Sequence, residues 1–305
     1  MRRLLLVANR SAYGFSPYRR EVILRALGAE FLVEEAVTKG RGHAVELARG
    51  AVHSGVDLVV AWGGDGTLNE VANGLARTPV PLAVLPAGLA NVFARSLGVP
   101  LDPAEATGLL LSRLGQAPRR IPLGRADGRY FLINCGVGLD AAIVRAAERR
   151  QLAKRAAGAS HYVWTALWVL LASRWRQQAR AELAWGPDLE RRREGLTLVV
   201  FQNADPYTYL GDRPVRLCPD AALEGPLDAF GLDTLRPWTV MELALSALGR
   251  GRRLRRSRHT LLVHGEPRFR VRGTGPLPVQ VDGEYVGERA ELLVEWVPDA
   301  LSVLA

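Results

Sequence analysis

Short apolar runs and helical patterns alternate over the first 120 residues of the chain. Four runs have the length and continuous apolar character of buried strands: Leu4–Ala8, Phe31–Ala36, Leu58–Trp62 and Pro81–Leu85. Helical spacing appears between them, for example over residues 17–27 and 68–75. Because strands that alternate with helices form parallel sheets through crossover connections, residues 1–120 are predicted to form a doubly wound α/β domain.

The rhythm changes after about residue 121. A strand is predicted at Tyr130–Cys135 and a helical pattern from Ala141 to about Ala157, and turn residues separate short apolar runs from there on. The predicted strands are Leu183–Trp185, Leu196–Phe201, His259–His264, Arg268–Arg272, Val279–Val281 and Leu292–Trp296, with a hairpin tip at Glu190–Glu194 and one helix at Trp238–Leu248. Residues 121–296 are therefore predicted to form a mainly β sandwich.

The composition predicts a basic protein with enough hydrophobic residues to fill its cores. The 305 residues are 48% hydrophobic, and the net charge of +9 gives a pI near 10.2. A basic surface favours anionic partners such as nucleic acid, a nucleotide or an acidic membrane. Lys39 and Lys154 are the only lysines, so a general preference for arginine explains the charge equally well.

Cysteine usage and hydropathy bear on the compartment. Cys135 and Cys218 form neither a disulfide framework nor a metal-binding spacing, which favours a reducing compartment. The apolar run Leu4–Ala8 is too short for a signal peptide, and no apolar run reaches the ~20 residues that span a bilayer. We therefore expect a cytoplasmic protein.

Two segments suggest contact with a membrane surface. Trp164, Trp168 and Trp175 share one helical stripe, and Arg250–Arg258 is the strongest basic run. A core helix and a solvated loop are the alternatives. Nucleic acid is not expected as a partner, because no aromatic residues are interleaved with the arginines. We expect peripheral contact with anionic lipid at the inner membrane face. The sequence is also compatible with a homodimer.

The candidate chemistry lies in Gly63-Gly64-Asp65-Gly66-Thr67, between the strand that ends near Trp62 and a helical pattern. A glycine turn that enters a helix presents backbone N–H groups to a phosphate, and its glycines permit positive φ angles and leave no side chain between backbone and ligand. Asp65 beside phosphates indicates a bound metal ion. The alternative is an ordinary strand-to-helix turn capped by Thr67.

This segment, continued by Leu68-Asn69-Glu70-Val71, resembles the diacylglycerol kinase catalytic family of lipid kinases. NAD kinases share the five-residue core, and Asn69-Glu70 favours the lipid kinases. The resemblance extends to three further loops and implies a nucleotide-binding role for their matching residues, with a plain helix cap as the alternative at Thr38. The implied nucleotide-binding residues are Asn9, Ser11, Thr38, Gly63, Gly64, Asp65, Gly66, Thr67, Gly88 and Asn91.

The resemblance also implies the architecture and the reaction. It implies an NAD kinase-like two-domain fold, in which residues 297–305 return to the first domain and residues 121–296 bind the lipid substrate. ATP and Mg²⁺ are the implied cofactors, with Asp65 as the metal ligand and a catalytic residue. Val281-Asp282-Gly283-Glu284 resembles the family's Val-Asp-Gly-Glu, in which the glutamate accepts the proton of the lipid hydroxyl. Glu284 takes that role here, and a solvent-exposed hairpin turn is the alternative.

Two departures from the family pattern keep other functions open. Leu89 stands where the family has a threonine that faces the nucleotide, and the segment Pro219–Asp228 lacks one carboxylate of a structural Mg²⁺ site found in some members. The alternatives are an NAD kinase and a lipid- or nucleotide-binding protein that has lost catalysis. The lipid acceptor is expected to be diacylglycerol-like or sphingoid.

Overall fold

The computed structural model describes residues 2–149, 180–249 and 251–305. The predicted tryptophan stripe at 164–175 lies outside the described residues, and so does Arg250. The chain forms two compact units. The first comprises Met1–Leu123 and Pro298–Ala305, and the second comprises Gly124–Val297.

The first unit is a parallel sheet whose strands alternate with helices. Its elements are β1 (Arg2–Ala8), α1 (Pro17–Gly28), β2 (Phe31–Val37), α2 (His43–Ser54), β3 (Leu58–Gly63), α3 (Asp65–Leu75), β4 (Leu82–Pro86), α4 (Val92–Ser96) and α5 (Pro103–Ser112). The strands run parallel in the order β2-β1-β3-β4. The doubly wound α/β prediction is confirmed. At the end of the chain, Val303 lies opposite Leu82 in parallel register and extends this sheet.

The second unit is mainly β. Its elements are the end of β5 (Arg119–Ala126), β6 (Arg129–Phe131), β7 (Asn134–Gly138), α6 (Leu139–Glu148), β8 (Ala181–Trp185), β9 (Arg191–Leu196), β10 (Leu198–Gln202), β11 (Thr208–Leu210), β12 (Arg213–Val215), β13 (Leu227–Leu232), α7 (Pro237–Ala247), β14 (Thr260–Glu266), β15 (Arg268–Val281) and most of β16 (Glu284–Val303).

Strand β15 pairs with two different strands of this unit. Its first half pairs with β8 and its second half with β7, and the register shifts between Arg272 and Leu277. Side chains from these strands share one core, in which the ring centroids of Phe201 and Phe269 lie 5.1 Å apart. The predicted β-rich second part is confirmed. The two strands predicted at 268–272 and 279–281 are one strand, because the register shift between them does not interrupt β15.

One predicted hairpin tip is wrong. Residues 190–194 were expected to form a turn, but β9 begins at Arg191, which pairs with Trp185 of β8. The turn lies earlier and contains Gly186, whose φ of 94° suits glycine. Among the residues that the structure describes, no helix is both long and apolar enough to cross a membrane.

Candidate functional site

Four loops meet at the carboxyl edge of the parallel sheet in the first unit. The last residues of the strands lie side by side, with Ala8 opposite both Val37 and Trp62, and Gly63 opposite Pro86. The residues predicted to bind a nucleotide all lie at these strand ends, in the loops that follow or in the first turn of α3: Asn9, Ser11, Thr38, Gly63, Gly64, Asp65, Gly66, Thr67, Gly88 and Asn91. Ligands of open α/β sheets bind at this edge.

The two glycine loops lie in backbone contact. A Cβ atom on Gly88 would lie 2.7 Å from Gly64 Cα, and one on Gly63 would lie 2.6 Å from Thr67 Cβ. Gly63, Gly64 and Gly66 do not use the positive φ angles that glycine permits, and Gly64 has a φ of −89°. Gly63 and Gly88 have no room for a Cβ atom, and one on Gly64 would lie 3.1 Å from Gly88 Cα.

Asp65 is the first residue of α3, so the N–H groups of the first helical turn lie at the same edge. One oxygen of its carboxylate accepts a hydrogen bond from Phe93 N at 3.2 Å. This bond links the loop after β3 to the helix after β4. The positive end of a helix dipole favours phosphate, and a carboxylate beside it is placed to meet a cation that accompanies the phosphate.

Asn9 and Thr67 bridge the point at which the strand order reverses, between β1 and β3. Asn9 Nδ2 donates to Thr67 Oγ1 at 3.1 Å, and Ser11 N donates to Asn9 Oδ1 at 3.0 Å. Thr67 does not cap α3, because Gly64 is the N-cap residue and no side chain bonds there. The alternative of a turn capped by Thr67 is therefore wrong. The reversal point is where such sheets bind nucleotides.

Thr38 follows β2, and its N–H donates to Ala8 O at 3.0 Å. It is not a helix cap, because α2 begins after Gly42, whose φ is 82°. The α2 N-terminus is instead capped by Glu70, whose carboxylate accepts from Gly42 N at 2.7 Å and Ala44 N at 3.0 Å. From sequence, Glu70 is assigned no role beyond its place in the motif. Its role depends on the packing of α3 against α2.

Asn91 closes the loop after β4. Its Oδ1 accepts from Gly88 N at 2.8 Å and its Nδ2 donates to Gly88 O at 2.9 Å. Asn91 has a φ of 48°, which asparagine tolerates better than most residues. Leu89 lies inside this closed loop with 46% of its surface exposed. The loop therefore holds its shape through Asn91 and presents Leu89 to solvent.

In the second unit, Glu284 follows a two-residue hairpin turn. Asp282 and Gly283 have φ angles of 45° and 79°, and Val281 pairs with Glu284, as in a type I′ turn. Glu284 forms an ion pair with Arg129, and its side chain is only 17% exposed. The hairpin turn of the alternative is present and Gly283 is exposed, whereas the Glu284 side chain is only partly exposed. No sequence signal pointed to Arg129.

Asp282 ties this hairpin to the segment before β7. Its carboxylate accepts three backbone hydrogen bonds, from Leu132 N at 2.7 Å, Ile133 N at 2.9 Å and Asn134 N at 2.9 Å. Gly283 N donates to the side chain of Gln280 at 2.8 Å. The sequence predicted Asp282 only as a turn residue. The structure shows that it fixes the position of the hairpin.

Gln280 extends the connection into a buried polar network. Its Nε2 donates to Asn134 Oδ1 and to Asp140 Oδ2, both at 2.8 Å, and Tyr207 Oη donates to Asp140 Oδ1 at 2.6 Å. Burial raises the pKa of the Asp140 carboxyl, and the hydrogen bonds from Tyr207 and Gln280 oppose this rise. The turn that precedes Glu284 is therefore anchored on several buried hydrogen bonds.

The segment Pro219–Asp228 carries a different pair. The buried Asp228 accepts from Gly265 N at 2.9 Å and contacts His264 Nδ1 at 2.8 Å. This hydrogen bond, with the attraction of the carboxylate, raises the pKa of His264. Across residues 2–149, 180–249 and 251–305, no group of three or more His, Cys, Asp or Glu side chains could hold a metal ion.

Comparison with known proteins finds relatives along the whole chain. The family model "Diacylglycerol kinase catalytic domain" matches residues 3–126. The "Probable lipid kinase YegS-like" of Pseudomonas aeruginosa PAO1 is 34% identical, and the match covers 99% of this chain and 93% of that protein. The protein of the same name from Pseudomonas putida KT2440 is 33% identical, with 89% and 84% covered.

A solved structure shares the fold. The structure described as a diacylglycerol kinase from Bacillus anthracis Sterne aligns with a TM-score of 0.71 at 20% identity, and the alignment covers 99% of this chain and 96% of that one. At this identity the likeness bears on the fold alone. It agrees with the α/β first unit and the mainly β second unit.

Proposed function

Because the chain belongs to the diacylglycerol kinase catalytic domain family, with YegS-like lipid kinases among its relatives, we propose that it transfers the γ-phosphate of ATP to a lipid hydroxyl. Family membership supports a kinase. The proposal goes further and names ATP as the nucleotide and a lipid as the acceptor. Both are argued from the residues of the two units.

One observation carries the proposal. All ten residues predicted to bind the nucleotide lie at the carboxyl edge of one parallel sheet, around the reversal point between β1 and β3. Gly64 and Gly88 bring the two loops into backbone contact, and Gly66 borders open space that a nucleotide phosphate can approach closely. The start of α3 adds N–H donors and a favourable dipole.

The same edge fits Mg²⁺ carried by the nucleotide. Mg²⁺ is usually held by one or two carboxylates together with phosphate oxygens and waters, so Asp65 suffices as the protein ligand. When bound, the ion neutralises the charge that develops on the phosphates during transfer. Asp65 would hold it directly or through water. The hydrogen bond between Asn9 and Thr67 would hold the loop after β1 against the start of α3.

The second unit supplies the proposed base. We assign Glu284 to accept the proton of the lipid hydroxyl as that oxygen attacks the γ-phosphate. Its ion pair with Arg129 orients the carboxylate, and the bonds of Asp282 and Gln280 keep the hairpin in place. The acceptor is a lipid alcohol of the diacylglycerol or sphingoid type, with the protein acting in the cytoplasm at the inner membrane face.

The test is an acceptor panel with γ-labelled ATP and Mg²⁺. The purified protein is incubated with diacylglycerol, a sphingoid base, ceramide, phosphatidylglycerol and NAD. Label in a lipid supports the proposal. Label in NAD alone would assign an NAD kinase. ATP binding without label in any acceptor would support a binding protein that has lost catalysis. The leucine at position 89, where the family has a threonine, is the reason to consider this alternative.

A further inference from the structure

Helix α7 has apolar side chains on two opposite faces, and the residues that the structure describes cover only one of them. Val240, Leu243 and Ala247 pack on the core that contains Phe230 and Leu254. On the other side, the following residues recur at three- and four-residue intervals and form one stripe, called here the apolar ridge: Trp238, Met241, Leu245 and Leu248. Their exposed fractions are 79%, 49%, 65% and 37%.

An arginine-rich segment, residues 251–258, folds back beside this helix. Gly251 N donates to Ser246 O at 3.0 Å, and Arg253 N donates to Ser246 Oγ at 3.1 Å. Leu254 is buried in the core under the helix. The segment is therefore held next to α7, on the side of the helix that carries Ser246 and Glu242.

This region carries a strong local charge. Residues 236–258 contain seven arginines and one acidic residue, Glu242. Arg253 pairs with Glu242 at 2.6 Å and Arg255 with Asp220 at 2.8 Å. Arg252 and Arg256 are exposed, and the part of the chain that the structure describes gives neither of them an ion pair.

We propose that the apolar ridge and the arginine-rich segment dock the protein on an anionic lipid bilayer. Tryptophan, methionine and leucine enter the boundary between headgroups and acyl chains, and the arginines bind the negative headgroups. A bilayer covers both the apolar and the basic part of the surface. This inference concerns attachment and goes beyond the proposed reaction, so its test needs neither nucleotide nor turnover.

Two other occupants fit less well. A second copy of the chain would bring the same basic surface against itself, because a two-fold contact pairs identical patches, and the arginines would repel one another. Nucleic acid would satisfy the arginines but would leave Trp238 and Leu245 exposed to water. An anionic bilayer matches the charge and also covers the ridge.

The experiment measures sedimentation of the full-length protein with vesicles of phosphatidylcholine, with and without phosphatidylserine, at low and high salt. Phosphatidylserine has no free alcohol group, so capture of a kinase substrate cannot produce binding. We expect binding only to the anionic vesicles and release by salt. Equal binding to neutral vesicles at low salt would overturn the proposal.

Paired variants separate the two parts of the surface. Arg252→Gln with Arg256→Gln should weaken binding about thirtyfold, since each arginine near the surface contributes roughly fivefold. Trp238→Ala with Leu245→Ala should weaken it at least roughly tenfold. The controls are Arg25→Gln with Arg192→Gln, and Tyr18→Ala, which remove exposed residues elsewhere.

Three results would contradict the proposal. The first is that the α7 variants bind anionic vesicles as well as the controls do. The second is that light scattering shows a dimer that Trp238→Ala with Leu245→Ala dissociates, which would assign the ridge to a second copy. The third is that the parent binds a nucleic acid duplex but not the vesicles.

Discussion

Replacing Asp282 should loosen the hairpin that carries Glu284. In Asp282→Asn, one of the two oxygens that accept from Leu132, Ile133 and Asn134 becomes an amide nitrogen, which cannot accept. At least one of the three donors then loses its partner, and the bonds that remain lose their charge. Asparagine tolerates the φ of 45° at this position, so the variant isolates the hydrogen bonds from backbone strain.

The size of the effect follows from these bonds. A hydrogen bond to a charged group contributes about 1.5–3 kcal/mol and a neutral one about 0.5–1.5 kcal/mol, so exchanging three charged bonds for two neutral ones in Asp282→Asn should lower the free energy of unfolding by about 3.5–6 kcal/mol. Asp282→Ala removes all three bonds and adds about 1–2 kcal/mol for a left-handed backbone, together about 5.5–11 kcal/mol. That approaches the total stability of many domains, so the asparagine variant is the one to measure.

The matched control is Asp127→Asn. Asp127 and Gly128 form the same kind of turn, with φ angles of 45° and 87°. The carboxylate of Asp127 meets Arg289 at 3.1 Å and Leu293 N at 3.3 Å in exposed positions. Exposed bonds of this kind contribute little, so we expect a change within about 1 kcal/mol.

The assay is equilibrium unfolding in urea, followed by tryptophan fluorescence and by circular dichroism. The midpoint for Asp282→Asn should fall clearly below those of the parent and of Asp127→Asn, with turnover reduced in parallel. If the two asparagine variants unfold alike, the three backbone bonds do not hold the hairpin, and the anchoring of Glu284 is refuted.

Three further predictions concern other contacts. Gly88→Ala should lower ATP affinity at least about tenfold, because its Cβ would lie 2.7 Å from Gly64 Cα. The control Gly50→Ala, on open helix surface, should leave ATP affinity unchanged. Equal ATP affinities of the two variants in a titration would count against the glycine contact. Leu89→Thr should raise ATP affinity about tenfold by adding one hydrogen bond to the nucleotide, and an unchanged dissociation constant would show that position 89 does not contact it. Asp228 raises the pKa of His264 above 6.5. The difference in the free energy of unfolding between the parent and His264→Ala should therefore be fully present below about pH 6.5 and shrink as the pH rises through the raised pKa. A difference that grows with pH would contradict this.

The strand ends of the first unit could be predicted because the signal is local. Each apolar run is followed at once by polar or glycine residues, and parallel strands bring those ends to one edge. Asn9 and Thr67 are 58 positions apart, yet the strand order alone places them together. The reason for the glycines could not be predicted, because the contact between Gly64 and Gly88 depends on how the two loops pack.

The second unit is harder to predict because its key contacts join distant segments. Asp282 bonds residues about 150 positions away, and a turn signal such as Asp-Gly says nothing of that partner. Helix α7 illustrates a different limit. Its sequence is apolar on both faces, so the pattern cannot tell that Leu243 is buried while Trp238 is exposed.

The most direct test of the central claim is turnover by Asp65→Asn and Glu284→Gln beside the parent, with γ-labelled ATP and the lipid that the panel identifies. Both variants should remain folded and lose at least roughly a hundredfold in turnover, the usual size for acid–base groups. Glu284→Gln should still bind ATP as the parent does, because the proposed nucleotide residues all lie in the first unit. Near-normal lipid phosphorylation by either folded variant would contradict the account.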